Sequence, residues 1–600
     1  MAKDRLPAWA AEMRAIFRAG TTSQFVLHGN VFDLVPAPDG EDYLSLRSYL
    51  TDVMFAPFEV VVQYDRGRGI RVRKGLEIFH NFLKSFDAFE GTAWSGLPES
   101  GRDKLETLDL RGQLPRDPRR ALELIDRFLR GALARTRVVD GKSVSEPLRV
   151  AVIVDYAHFI APQADPAFVA DLSQTLIQLL DWASDPAITG AFVTTALVVE
   201  NLADLNRLLV ESPYSAKIRI DLPTADELHD FVRFLGRDVP DFAAVSEVPA
   251  DILAQRLVGL SRVSVRALVR RAIASQERIT GAYLTRVKKE IIEKEAFGRL
   301  EFIESQRTLD DVAGHEEAKA WLRQDAVLLR KGLTAAIPMG YLLTGRIGTG
   351  KTYLVECLAG EVGIPCVELK NFREKWVGAT EGNLEKVFTI LKALGQVIVF
   401  VDEADQAMGK RGGGDGDSGL SGRVYAMMAK EMSDTKNRGK IIWIFATSRP
   451  DLLEVDLKRQ GRLDVHIPLF PPGTPAARKD LFAAMARKLK LPIDPQALPA
   501  LPDNDQLGGN EMEGILVRAL RVHASQPEGA AGRTLPDVIS EVVSDMRPSA
   551  HTERLELMDL LAVKECTDTR FLPERFRKLP AAEVNARIAR LKAALGELVA

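Results

Sequence analysis

Residues Gly345-Arg-Ile-Gly-Thr-Gly-Lys351-Thr352 spell the pattern G-x-x-x-x-G-K-[ST], directly after the apolar run Tyr341-Leu-Leu343. This stretch decides the fold, because the pattern joins a buried strand to a helix in phosphate-binding proteins. The glycines let successive backbone N–H groups turn toward phosphate oxygens, and the following helix adds its positive N-terminus. Lys351 would reach the β- and γ-phosphates, and the Thr352 hydroxyl would bind Mg²⁺. The sequence therefore predicts a nucleotide site in the second half of the chain.

A pair of carboxylates follows a second apolar run. Val397-Ile-Val-Phe-Val401 consists of β-prone residues, and Asp402 and Glu403 come directly after it. Such a run is typical of a strand buried on both faces of a parallel sheet, whose carboxyl edge is where open α/β folds bind ligands. Asp402 is predicted to hold Mg²⁺ through water, and Glu403 to polarise the water that attacks the γ-phosphate. Together the two motifs predict nucleotide hydrolysis.

Composition limits the class of protein. The chain has 600 residues, more than one hydrophobic core supports, so several domains are expected. Eighty basic and 83 acidic residues leave a formal net charge of −3, so no basic field favours a nucleic-acid partner. The three cysteines lack metal-ligand spacing and indicate buried thiols in a reducing compartment. Without a signal-peptide core or a membrane-spanning apolar stretch, a cytoplasmic protein with no membrane contact is expected.

The first half of the chain repeats the outline of the second. Leu148-Arg-Val-Ala-Val-Ile-Val154-Asp155 has the shape of the strand that ends at Asp402, and further strand-like segments follow at nearly the same spacing in both halves. Strand-like segments that keep nearly the same spacing over about seventy residues in both halves indicate a duplicated unit. The predicted fold class is therefore α/β, with two P-loop-type parallel-sheet modules, each followed by a small helical lid.

The first module lacks the chemistry of the second. Gly141-Lys142-Ser143 is its only G-K-[ST], but Thr136 stands where the loop needs its first glycine, and no helix fits before the strand that ends at Asp155. The triplet is therefore interpreted as a polar turn. Tyr156 follows Asp155 in place of a glutamate. The sequence predicts a degenerate module without nucleotide, and leaves open whether it docks partners or only supports assembly.

Four further landmarks surround the two motifs of the second module. They are Leu309-Asp-Asp-Val-Ala-Gly314, Lys375-Trp-Val-Gly378, Ala446-Thr-Ser-Arg-Pro-Asp451 and Arg459-Gln-Gly-Arg-Leu-Asp464. With them, residues 308 to about 525 resemble the AAA clade of the AAA+ ATPases, and the whole chain is most similar to bacterial and plastid AAA proteins with a degenerate first module. The resemblance implies ATP and Mg²⁺ as cofactors. It also implies a homo-oligomeric ring, usually of six, that acts on a protein client.

The resemblance assigns roles by position. Arg459 and Arg462 are expected to be arginine fingers that complete the neighbouring subunit's site, because a guanidinium binds phosphate oxygens bidentately. Ser448 stands where the family typically has an asparagine that senses the γ-phosphate, so turnover is expected to be slow. With Glu403 and Lys351 these residues form the expected catalytic set. The residues expected to contact ATP are Gly345, Arg346, Ile347, Gly348, Thr349, Gly350, Lys351, Thr352, Tyr353, Asp311, Val312, Ala313, Gly508 and Gly509.

Trp376, Val377 and Gly378 fall where the family has its pore loop. An indole at the mouth of an axial channel would hold an extended polypeptide without regard to its sequence, whereas the alternative is an ordinary core tryptophan. Two departures also stand out. The usual Pro-Pro inside the phosphate loop is Arg346-Ile347 here, and no H-E-x-x-H follows the module, so no attached metalloprotease is expected.

These observations divide the chain into predicted domains. They are a degenerate AAA-like α/β module (1–223), a helical lid with a linker helix (224–305), the active AAA+ ATPase large domain (306–471), a helical lid (472–550) and a C-terminal helical tail (551–600). The favoured function is ATP hydrolysis coupled to remodelling or threading of a protein client, which the intact Glu403 and the two arginines support. The alternative is a nucleotide-controlled scaffold with little turnover, which Ser448 and the degenerate module support.

Overall fold

The computed structural model divides the chain into two compact units. The first comprises residues 1–292 and 376–393, and the second comprises residues 293–375 and 394–600. Each unit is built around its own six-stranded sheet. The structure describes residues 6–92, 94–95, 114–139, 142–163, 170–189, 193–239, 241–296, 298–370, 380–408, 418–502, 507–525, 533–547 and 551–597.

A largely parallel sheet forms the centre of the first unit. The strands of this unit are β1 (Gln24–Gly29), β2 (Leu34–Pro36), β3 (Tyr43–Ser45), β4 (Val60–Asp65), β5 (Gly69–Lys74), β6 (Thr136–Val139), β7 (Lys142–Ser145), β8 (Val150–Val154), β9 (Val193–Val198) and β10 (Ser215–Ile220). Six of them pair in the order β10-β1-β9-β8-β4-β5, and only the β4–β5 pair is antiparallel. Strands β6 and β7 form a separate antiparallel hairpin, so Lys142 and Ser143 begin a strand and do not lie in the predicted polar turn, and neither belongs to a phosphate loop.

Helices cover both faces of this sheet, and a helical segment follows it. Alternate residues of β8 enter two cores, Val152 and Val154 on one face and Ala151 and Ile153 on the other, because successive side chains of a strand point to opposite faces. The helices are α1 (Ala8–Arg18), α2 (Leu46–Tyr49), α3 (Leu76–Glu90), α4 (Pro118–Leu133), α5 (Ala170–Ser184), α6 (Pro186–Thr189), α7 (Arg207–Val210), α8 (Ala225–Asp238), α9 (Phe242–Val245), α10 (Ala250–Leu257), α11 (Arg262–Ala274) and α12 (Gly281–Glu295).

The sheet of the second unit is also parallel except at one edge. Its strands are β11 (Leu300–Phe302), β12 (Gly340–Thr344), β13 (Cys366–Leu369), β14 (Val397–Val401), β15 (Ile441–Thr447) and β16 (Val465–Pro468). They pair in the order β11-β13-β14-β15-β12-β16, and only β11 is antiparallel to its neighbour. Because β11 joins this sheet, the second unit takes in residues that the sequence interpretation gave to the linker before residue 306.

Helices flank the second sheet and continue to the C-terminus. They are α13 (Glu316–Arg330), α14 (Lys351–Val362), α15 (Thr380–Leu394), α16 (Ala404–Met408), α17 (Ser418–Met432), α18 (Pro475–Lys488), α19 (Gly509–Ala524), α20 (Leu535–Ser544), α21 (Thr552–Glu565), α22 (Glu574–Arg577) and α23 (Ala581–Ala594). Helix α15 groups with the first unit up to Ala393. None of the helices in the described ranges is long and apolar enough to cross a bilayer.

The two sheets have the same strand order. Read from the β10 edge, the first sheet is β10-β1-β9-β8-β4-β5, and read from the β16 edge, the second is β16-β12-β15-β14-β13-β11. The predicted α/β class with two parallel-sheet modules is therefore confirmed. The alignment also shows that β1 is the counterpart of β12, the strand that leads into the phosphate loop. The first module's equivalent of that loop therefore follows Gly29, a segment that the sequence interpretation did not single out.

Candidate nucleotide site

The phosphate loop joins β12 to α14 through residues with left-handed backbone angles. Gly345, Gly348 and Gly350 have φ values of +140°, +84° and +87°, which residues with a Cβ rarely adopt. At Gly345 a Cβ would also lie 2.1 Å from the carbonyl oxygen of Leu469, so the loop passes directly against the end of β16. These glycines therefore shape the loop as the sequence pattern predicts.

Lys351 and Thr352 open helix α14 and reach the predicted partners. The Lys351 Nζ donates to the carbonyl oxygens of Gly345 at 2.7 Å and Arg346 at 3.1 Å, and to the Ser448 hydroxyl at 3.1 Å. The Thr352 hydroxyl donates to the Asp402 carboxylate at 2.7 Å. Burial lowers the pKa of Lys351 to about 8. The fold thus brings together the lysine, the hydroxyl, the carboxylate and the predicted γ-phosphate sensor.

The carboxylates lie at the carboxyl ends of β14 and β15. Asp402 accepts a hydrogen bond from the backbone N–H of Glu403 at 2.8 Å, and Asp405 accepts one from the Thr447 hydroxyl at 2.6 Å. Glu403 has a φ of +45°, which is uncommon for a residue with a side chain and is concentrated at functional sites. The strained position is the one predicted to hold the catalytic base.

A cavity of about 410 Å³ lies beside the phosphate loop, within the size range of small-ligand sites. The backbone N–H of Gly509, at the start of α19, donates to the Gly348 carbonyl at 3.0 Å, so the helical lid closes one wall. Eight of the predicted ATP-contact residues line the cavity: Val312, Ala313, Gly348, Thr349, Gly350, Tyr353, Gly508 and Gly509.

Three of the residues predicted to contact ATP lie away from the cavity. The Asp311 carboxylate accepts the backbone N–H of Thr308 at 2.8 Å and caps a short turn. Arg346 is buried, with 4% of its surface exposed, and faces Asp559 on α21. Ile347 is 64% exposed. None of the three lines the cavity within the described part of the chain, and the backbone of Arg346 remains next to Lys351.

Sequence reasoning missed a wall of the cavity that comes from the C-terminal segment. Arg570, Phe571, Leu572 and Pro573, which precede α22, line the cavity together with Arg577. Phe571 packs into the core beneath the phosphate loop, and its ring meets Trp321 of α13 edge-on at 5.5 Å. The segment carries no phosphate-binding motif, so only its place in the fold identifies it.

The two expected arginine fingers differ in exposure. Arg462 is buried, and its Nη1 donates to the Asp456 carbonyl oxygen at 2.7 Å and to the Asp456 carboxylate. The side chain of Arg459 is 61% exposed and contacts Asp456 only through an ion pair of 3.1 Å. Arg459 is therefore the one that is free to reach solvent. The pore-loop residues Trp376, Val377 and Gly378 lie outside the described residues.

In the first unit, protein side chains bind the carboxylate that corresponds to Asp402. Asp155 at the end of β8 is fully buried and accepts hydrogen bonds from Arg47 Nε at 2.9 Å and from Gln63 Nε2. Tyr156 has a φ of +50°, nearly that of Glu403, so the backbone conformation is retained although the catalytic side chain is replaced. A guanidinium of the same chain thus neutralises the carboxylate whose counterpart in the second unit bonds Thr352.

The counterpart of the phosphate loop is also occupied by protein groups. After β1 the chain runs through Asp33 to β2 without an intervening helix. The Asp33 carboxylate accepts the backbone N–H of Val263 at 2.9 Å, and the Arg262 Nη1 lies 3.6 Å from it. The same Nη1 donates to the Leu34 carbonyl oxygen at 3.2 Å. The first residues of α11 thus bind the segment that follows β1, the strand that corresponds to β12.

One nucleotide per chain is therefore the expected binding stoichiometry. Isothermal titration of the full chain with Mg-ADP is expected to saturate at one equivalent, and Lys351→Ala is expected to bind none, because in the described part of the first unit Arg47 binds Asp155 and the N–H of Val263 binds Asp33. A second equivalent in the wild type, or saturable binding that survives in Lys351→Ala, would contradict the degeneracy of the first module.

Three known families match successive parts of the chain. The family described as "AAA+ chaperone, N-terminal Rossmann-like domain" matches residues 2–221, and "AAA+ chaperone, second helical domain" matches residues 227–297. The "ATPase family associated with various cellular activities (AAA)" matches residues 341–470, which contain the site described above. The chain belongs to the AAA+ ATPases.

Curated relatives match about a third of the chain. The ATP-dependent zinc metalloprotease FtsH 1 of Salinibacter ruber is 35% identical over 202 residues, covering 32% of this chain and 29% of that protein. FtsH 3 of Synechocystis is 31% identical over 250 residues (40% and 39%). The mouse mitochondrial inner membrane m-AAA protease component AFG3L1 is 34% identical over 189 residues (30% and 24%). The chain thus spans well under half the length of each of these relatives.

ATP and Mg²⁺ are the cofactors of this family, and the residues present fit both. The loop offers glycine N–H groups and a buried ammonium for phosphate, and Thr352 and Asp402 offer the hard oxygen ligands that Mg²⁺ takes. The Thr352 hydroxyl and the Asp402 carboxylate lie 2.7 Å apart, so both oxygens would lie beside a cation bound there.

Proposed function

We propose that the second module hydrolyses ATP within a homo-oligomeric ring and that the cycle remodels or threads a protein client. One observation carries the proposal: the Lys351 ammonium contacts Ser448 at the end of β15, while Thr352, the next residue, contacts Asp402 at the end of β14. Phosphate, metal and sensing groups from three separate segments therefore meet at one edge of the sheet, as hydrolysis of a nucleotide requires.

Each residue has a distinct part in the proposed reaction. Lys351 would exchange its two carbonyl acceptors for phosphate oxygens. Its hydrogen bond to Ser448 would connect the bound phosphate to the end of β15. Glu403 would orient the attacking water and accept its proton. Mg²⁺, held by Thr352 and Asp402, would neutralise the charge that develops on the phosphates. The catalytic effect thus comes from positioning and electrostatics.

The exposure of Arg459 supports a site shared between subunits. An exposed ion pair such as Arg459–Asp456 is weak because water screens both charges, so Arg459 can leave it for a phosphate on a neighbouring chain at little cost. Arg462 is buried against the same carboxylate and is better suited to hold the Arg459 loop in place. A residue supplied from a neighbour requires an oligomer, and a closed ring satisfies every such interface.

A nucleotide-controlled scaffold is the second candidate. The first unit supports it, because Arg47 and α11 fill its nucleotide positions and leave that module for assembly or docking. Ser448 supports it as well, because its short side chain binds Lys351 and would reach the γ-phosphate less directly than an asparagine. In a scaffold, ATP would assemble the ring without mechanical work.

Trp376→Ala separates the two candidates. The variant is expected to keep basal ATP hydrolysis within about twofold of wild type and to lose the stimulation by casein, an unfolded polypeptide, because the resemblance assigns the indole to gripping the client and not to binding the nucleotide. Phosphate release with and without casein measures both quantities. Tyr214→Ala removes an aromatic that is 53% exposed in the first unit and is the matched control, which should retain stimulation. Undiminished stimulation in Trp376→Ala would contradict threading by this loop.

A further inference from the structure

The phosphate loop is tied to the C-terminal helix α21 through a buried pair of charges. Arg346 Nη1 lies 3.8 Å from the Asp559 Oδ2, and the two residues are 4% and 7% exposed. Removing two charges from water is costly unless they face each other, so a pair at this depth fixes the relative position of the groups that carry it. The side chain of Arg346 therefore ties the loop to α21.

The backbone of the same residue belongs to the lysine's cradle. The Arg346 carbonyl oxygen accepts a hydrogen bond from Lys351 Nζ at 3.1 Å and another from the Thr349 hydroxyl at 2.9 Å. A shift of Arg346 toward or away from α21 would thus move an acceptor of the phosphate-binding ammonium. Asp559 is not among the residues that line the cavity beside the loop, so it would act on this acceptor through Arg346.

The C-terminal segment also holds the loop that carries Ser448. Arg449, the next residue, donates to the Glu597 carboxylate at 2.7 Å and pairs with Asp451. The Lys592 Nζ of α23 lies 2.7 Å from the Asp451 Oδ2. Burial alone would raise the pKa of Asp451, but hydrogen bonds from Arg449 and Lys592 outweigh it and lower that pKa. Two loops that meet at Lys351 are therefore both anchored to residues 551–597.

We propose that residues 551–597 form a positioning element of the ATP site and that Asp559 is its positioning residue for the phosphate loop. The usual Pro-Pro of the loop limits backbone freedom, and Arg346-Ile347 lacks that limit. The Arg346–Asp559 pair supplies the constraint from outside the loop. This inference rests on nucleotide binding by the second module and adds the element that controls its affinity.

Asp559→Asn tests the proposal, because it keeps the shape of the side chain and removes the charge that faces Arg346. Titration of the full chain with Mg-ADP is expected to show binding at least about tenfold weaker, the effect of about 1.4 kcal/mol. Asp559→Glu should recover most of the loss, because it restores the charge. Glu211→Gln is the matched control: it neutralises a carboxylate of the first unit whose ion pair with Arg207 is exposed, and it should bind Mg-ADP within about twofold of wild type.

A binding constant equal to wild type in Asp559→Asn, whatever its melting temperature, would overturn the proposal. Hydrogen exchange on the wild-type chain decides the matter even if that variant does not fold. Mg-ADP is expected to slow amide exchange in α21, and unchanged exchange there would overturn the proposal equally. Absence of Mg-ADP binding by the wild type would instead contradict the proposed function, so the two failures are distinguishable.

Discussion

Replacing Glu403 with glutamine is expected to lower ATP hydrolysis by about 100-fold or more while Mg-ATP binding stays near the wild-type value. Glu403 follows Asp402 in a strained conformation at the end of β14, and an amide in its place cannot accept the proton of the attacking water. Lys351→Ala is expected to abolish binding itself, because the half-buried ammonium contacts the loop carbonyls of Gly345 and Arg346, where it would bind phosphate oxygens. Phosphate release and calorimetric affinity separate the two effects.

Asp480→Asn provides the matched control for Glu403→Gln, because it neutralises an exposed carboxylate on α18. It should leave both hydrolysis and affinity unchanged. Equal ATP affinity in wild type and Lys351→Ala would refute the role of the lysine, and full turnover in Glu403→Gln would refute that of the base.

Arg459→Ala is expected to reduce hydrolysis by about 10³-fold with nucleotide affinity and melting temperature intact, since arginine fingers contribute on this scale. Its side chain is exposed and, among the described residues, pairs with the exposed side chain of Asp456, so folding should not depend on it. Arg462→Ala should also reduce hydrolysis, but it should lower the melting temperature as well, because it removes the hydrogen bonds from the buried guanidinium to Asp456. Thermal unfolding beside phosphate release distinguishes the two arginines.

Mixing the Arg459→Ala chain with the Lys351→Ala chain tests whether the arginine acts between subunits. Each chain supplies the half-site that the other lacks, so the mixture should recover part of the activity that neither chain has alone. No recovery in mixed oligomers, verified by co-purification through two affinity tags, would place Arg459 outside the neighbouring site.

The local chemistry of the second module could be predicted from the sequence because its motifs specify local conformation. The glycines of the loop require left-handed backbone angles, and Thr352 and Asp402 follow strands whose carboxyl ends must share one edge. Contacts between segments distant in sequence could not be predicted in this way. The Arg346–Asp559 pair and the Phe571 wall depend on how the C-terminal segment packs, and no local pattern encodes that packing.

In the first module too, part of the site could be predicted from the sequence and part could not. The replacement of the catalytic glutamate by Tyr156 is visible in the sequence, and the matching φ values confirm that the two positions correspond. The groups that fill the site were not predictable, because Arg47 and Gln63 come from elements that precede Asp155 by many residues and carry no motif. The counterpart of the phosphate loop, which follows Gly29, could not be recognised from the sequence because, in the described chain, no glycine-rich loop and no helix come between β1 and β2. Only the position of β1 in the sheet identifies it as the counterpart of β12.

The most direct test of an oligomeric ATPase is the rate of ATP hydrolysis per chain, measured across dilution together with the mass of the species present. We expect the rate per chain to fall as the oligomer dissociates and monomers to hydrolyse ATP at the low level of Arg459→Ala, because each site needs an arginine from its neighbour. A rate per chain that stays constant while the protein is monomeric would contradict the ring and the shared site together.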